Sequence, residues 1–128
     1  MSLDLKYLLF SVILTFVQML IHAMSANQAV GLSVLAGNRE DMPTLTGFAG
    51  RARRAHLNML ENLPLFIALV LIAVVAQKAN ATTAMGALVF FWARLIYAVI
   101  YLLGIPWLRT VAWAASVVGL IMIAVQLF

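Results

Sequence analysis

Arg51, Arg54, Asn58 and Glu61 fall within eleven residues, at spacings of three, four and three. On a helix all four lie within about 80° of one another, one polar stripe on one face. Farther along, Arg94, Tyr97 and Tyr101 follow i, i+3 and i+7, again a single face. Arg109 comes just after Pro106. Guanidinium groups in this company suit a small anionic ligand bearing carboxylates, which arginine grips with two parallel hydrogen bonds. The bland alternative is a packing ion pair between Glu61 and Arg94, with the other arginines anchoring the chain at a membrane surface.

The elements that position these residues are set by composition. The chain has 128 residues, 66% of them hydrophobic and 9% charged, with a mean hydropathy of +1.08. A soluble domain needs far more charge to cover its surface. The length suffices for one membrane domain, residues 1–128. With no cysteine there is no disulfide, thiolate metal site or cysteine nucleophile. The net charge of +4 belongs with basic loops that meet anionic headgroups. No basic stripe with interleaved aromatics lies outside the apolar runs, so nucleic acid is not an expected partner.

Crossing about 30 Å of hydrocarbon takes about 20 helical residues. Four stretches qualify, and helices are expected over about 5–36, 51–77, 82–103 and 106–128. The first is too long for the apolar part of a signal peptide and carries Asp4 beside Lys6, so it reads as a retained span. Residues 37–50 form a true loop with charges, Pro43 and three glycines. The later turns are short and make successive helices antiparallel, an all-α up-down bundle. Pro64 inside the second span predicts a kink.

Arg39, Arg51, Arg53, Arg54 and Arg109 gather on the side of the first and third loops, against Lys6 and Lys78 opposite. The positive-inside rule puts those loops in the cytoplasm and both termini outside. Glu61 and Arg94 then reach similar depth, and pairing across helices is the expected way to bury them. His56 points about 200° away from Arg54, and with His22 on another helix a metal site is not expected.

The stretch RARRAHLNMLENLPLF, Arg51 to Phe66, resembles the signature of the MAPEG family, the membrane-associated proteins in eicosanoid and glutathione metabolism. It is most similar to the microsomal glutathione transferases, in a prokaryotic form. ARLIYAVIY, Ala93 to Tyr101, resembles the family's third helix, and Arg109-Thr110 the opening of its fourth. The resemblance covers essentially the whole chain. It implies a homotrimer in the bacterial inner membrane, holding glutathione between subunits near the cytoplasmic face. Arg51, Arg54, Asn58, Glu61, Arg94, Tyr97 and Tyr101 would bind the tripeptide, and Arg109 would face its sulfur. A hydrophobic molecule or lipid from the bilayer would be the second substrate of a transferase or peroxidase. Two departures stand out: the first span has no arginine, unlike several relatives, and Trp113 replaces a tyrosine found in some. A non-enzymatic ligand-binding member of the same fold is the first alternative. A small multidrug-type transporter is the second, disfavoured because the first span offers only terminal Asp4.

Overall fold

A computed structural model describes all 128 residues. It is all helical: α1 Leu3–Val30, α2 Leu32–Ala36, α3 Gly47–Val75, α4 Ala81–Leu103 and α5 Pro106–Ala124, the last followed by a 3-10 turn Val125–Leu127. Four of these helices are long and apolar enough to cross a membrane. Local chemistry marks the ends. Ser2 caps α1 through its hydroxyl, which accepts from Leu5 N at 3.3 Å. Asn80 opens α4 with a capping box: its Oδ1 accepts from Thr82 N and Thr83 N, and Thr83 Oγ1 accepts from Asn80 N. Gly104 closes α4 in the left-handed conformation at φ 79°, and Pro106 starts α5 in the first turn, where its missing N–H is not needed.

Two boundaries differ from the sequence reading. The first span is broken at Gly31, whose φ of 88° leaves the helical region and sets α2 off as a separate piece. The second span begins four residues earlier, so Arg51 sits more than one turn inside α3 rather than at its start. Pro64 lies within α3, at an exposed position.

The α3–α4 pair is central, with α1 packed on both of them and α5 held chiefly against α4. The α4–α5 contact is the closest. A Cβ at Gly119 would meet Gly86 O at 2.6 Å, and one at Gly86 would meet Gly119 O at 2.7 Å. Small residues bring membrane helices backbone to backbone in this way, gaining packing where no hydrophobic force separates protein from lipid. The apolar core lies beside this crossing: Met59, Leu63, Phe66 and Val70 of α3 meet Phe90 of α4 and Leu120 and Ile123 of α5. Phe66 and Phe90 stack with centroids 4.0 Å apart.

Helix α1 reverses the soluble pattern. Asp4, Ser11, Thr15, Gln18 and Ser25 are buried, while Leu9, Phe10, Val12, Ile13 and Phe16 are exposed. Ser11 and Thr15 donate to carbonyls four residues back, both at 2.8 Å, so their hydroxyls are satisfied without leaving the helix. Of the 128 residues 32 are buried, so most of the apolar surface is left for lipid or for another subunit.

Both ends of the bundle are tied by side chains. At one end Arg51 Nε donates to Leu102 O at 3.1 Å, joining the second turn of α3 to the last turn of α4. At the other, Lys78 Nζ donates to Leu127 O at 2.7 Å and Asn80 Nδ2 to Gln126 Oε1 at 2.9 Å. The first and third loops therefore share an end, and the second turn shares the opposite end with the carboxyl-terminal segment.

Candidate functional site

Arg94 is the centre of the polar cluster. It is 1% exposed, the largest fully buried side chain. Its Nη2 donates to Asn58 Oδ1 at 2.7 Å, a charge-assisted bond between α4 and α3. Its guanidinium carbon lies 4.2 Å from the centroid of the Tyr97 ring, within cation–π range. Nε and Nη1 are buried without partners. Two N–H-bearing nitrogens of a charged group left unpaired in a low-dielectric interior ask for an anion or water.

Asn58 is held ready for Arg94 by Asn62, one turn on. Asn62 Nδ2 donates to Asn58 O at 2.8 Å and to Asn58 Oδ1 at 3.3 Å. Asn58 Oδ1 thus accepts from both sides. Asn62 escaped the sequence reading, although its i+4 spacing from Asn58 was the available signal.

Tyr101 joins the remaining arginines. Arg54 Nε donates to its hydroxyl at 3.2 Å, and the Arg109 guanidinium lies 4.5 Å from its ring centroid. Tyr101 meets Tyr97 edge to face at 5.6 Å. Both rings are buried, so two arginines from different helices, Arg94 and Arg109, each rest on a fixed aromatic face. A cavity of about 210 Å³ opens among Asn58, Tyr97, Arg109, Thr110 and Trp113, drawing on α3, α4 and α5.

The structure thus brings together Arg54, Asn58, Arg94, Tyr97, Tyr101 and Arg109. Arg51 stands slightly apart, its Nε engaged by the carbonyl of Leu102, a group that the end of α4 leaves without a helical partner. The expected Glu61–Arg94 pair does not form. Arg94 bonds Asn58 instead, and Glu61 is exposed on the outside of α3. An amide one turn before Glu61 reaches the guanidinium, and Glu61 is left facing outward together with Arg54. His56 does point away from this cluster, but it is not isolated from His22. The two rings stack with centroids 5.8 Å apart, and each Nδ1 is buried without a partner. No third metal-ligating side chain joins them.

Four membrane-length helices, with an arginine- and tyrosine-lined pocket at one end, define an integral membrane protein. The model of the MAPEG family matches residues 6–128, and the chain belongs to that family. No individual curated protein matches it.

Proposed function

We propose that the protein is a glutathione-dependent transferase or peroxidase that acts on hydrophobic electrophiles drawn from the bilayer. The family includes glutathione transferases and related membrane proteins. The observation that carries the reading for this chain is the buried guanidinium of Arg94, two nitrogens unpaired, held against Asn58 and Tyr97, which with Arg109 line the cavity. Glutathione has two carboxylates and a thiol, which match such donors.

In this reading Arg94, Arg54 and Asn58 hold the carboxylate and amide groups, while Glu61 receives the amino group. Tyr97 and Tyr101 wall the site, and Arg51 supports it through the end of α4. Glu61 and Arg54 face outward from the subunit, which supports a site completed by a neighbouring copy in a homotrimer. The basic count of the first and third loops supports cytoplasmic placement of the site and non-cytoplasmic termini; the membrane proposed is a bacterial inner membrane.

Arg109 would act on the sulfur. A free thiol has a pKa of about 8.5, and a nearby cation favours the thiolate. Arg109 lies in the first turn of α5, where the helix dipole adds partial positive charge. The thiol proton passes to water, the sulfur attacks the electrophilic carbon, and the leaving group departs with the electrons of its bond. The lipid-facing surface lets an apolar electrophile approach without crossing water. The test is conjugation of glutathione to a hydrophobic aryl halide, or glutathione-dependent reduction of a lipid hydroperoxide, by purified protein in detergent. Neither activity appearing would reject the enzymatic reading.

A further inference from the structure

A second cavity, of about 480 Å³, lies on the other side of α3 from the arginine–tyrosine cluster. It falls within the roughly 300–1,000 Å³ usual for ligand pockets. Met19 and Ala23 of α1 and Leu35 of α2 form its apolar wall, and His22, Arg39 and Arg53 supply the polar part. None of these residues belongs to the proposed glutathione site.

The two arginines are not spent on carboxylates. Arg39 adopts a φ of 61°, and its Nε donates to Leu35 O at 2.8 Å, which fixes the guanidinium at the cavity and leaves both terminal nitrogens free. Arg53 makes no side-chain hydrogen bond and is exposed. Glu40 and Asp41 line a separate hollow on the far side of Arg39, and Arg39 bonds neither of them. The cavity sits where α1 gives way at Gly31 to α2, beside the first turns of α3, at the basic end of the bundle. This is where a span meets the headgroup layer, and a basic rim over an apolar wall is complementary to an anionic amphiphile.

We propose that this cavity binds an anionic phospholipid, its phosphate between Arg39 and Arg53 and an acyl chain along Met19, Ala23 and Leu35. The inference does not rest on the glutathione reading. Two basic residues near a membrane surface account for roughly a thirtyfold preference over a zwitterionic lipid.

The experiment is native mass spectrometry of the purified protein in mild detergent, titrated with dioleoylphosphatidylglycerol or dioleoylphosphatidylcholine. The wild type is expected to hold one phosphatidylglycerol per subunit with at least about a tenfold preference. Arg39→Gln with Arg53→Gln removes the preference, and Lys78→Gln, at the opposite end, retains it. Ala23→Trp, at an exposed position on the wall, fills the cavity with both arginines intact and removes phosphatidylglycerol binding. It decides the matter should the double variant fail to fold. A wild type without preference, or binding that survives Ala23→Trp, overturns the proposal. Displacement of the lipid by millimolar inorganic phosphate would also overturn it, since the site would then read an anion and not an amphiphile.

Discussion

Arg94 of α4 and Asn58 of α3 are joined by a 2.7 Å hydrogen bond inside the bundle, and this bond occupies the place expected for an ion pair with Glu61. An amide partner leaves the positive charge of Arg94 uncompensated within the subunit. A neutral partner satisfies one nitrogen, and Nε and Nη1 of the guanidinium remain buried without a partner.

The bond predicts a specific coupling. A double-mutant cycle of Arg94→Met and Asn58→Leu, read by unfolding in mixed detergent, should show about 1–3 kcal/mol of interaction, as for a hydrogen bond to a charged group. The matching cycle of Arg94→Met and Glu61→Gln, without ligand, should show almost none. The opposite ranking would restore the ion pair.

The α4–α5 crossing makes a second prediction. Gly119→Ala places a methyl against Gly86 O and Phe90 N, at 2.6 and 2.9 Å, and neither backbone atom can swing aside. Overpacking of this kind costs about 1–3 kcal/mol. Thermal unfolding compared with Ala115→Gly, on the same helix, checks it. Unchanged stability would mean that the two helices separate easily and that the crossing does not fix the position of Arg109.

Topology gives a third. Arg51 bonds the end of α4, and Lys78 bonds the carboxyl-terminal segment, so the two ends of the bundle are internally defined. A reporter fused after Phe128 should read non-cytoplasmic, and one inserted in residues 37–50 cytoplasmic. Reversed signals would move the pocket to the other side of the membrane.

Most of the architecture was legible because membrane helices obey a strong length rule, and the apolar runs gave the four spans. The cluster was legible too, since helical periodicity placed Arg54, Asn58, Arg94, Tyr97 and Tyr101 on facing stripes. Three things were not. The partner of Arg94 depends on reach and rotation between helices, which periodicity cannot rank, and Asn58 won over Glu61. The break at Gly31 was masked by apolar residues on both sides, because hydropathy does not register φ. The inward polar face of α1 was visible as Asp4, Ser11, Thr15, Gln18, His22 and Ser25 at heptad-like spacing. Hydropathy averages over such a face, and the pairing of His22 with His56 depends on how α1 is rotated against α3.

The central claim, that this pocket binds glutathione and activates its thiol, is tested most directly by one paired measurement on purified protein. Equilibrium binding of glutathione is followed by calorimetry, and ultraviolet absorbance of the thiolate is followed against pH in the same samples. The account predicts saturable binding, weakened at least about tenfold in Arg94→Ala, as expected when one charge-assisted hydrogen bond is removed. In Arg109→Ala it predicts binding largely retained, with thiolate formation shifted upward by at least about one pH unit. Saturable binding with an unchanged thiolate titration in Arg109→Ala would make Arg109 a clamp and not the activator. No saturable binding to the wild type would contradict the account itself.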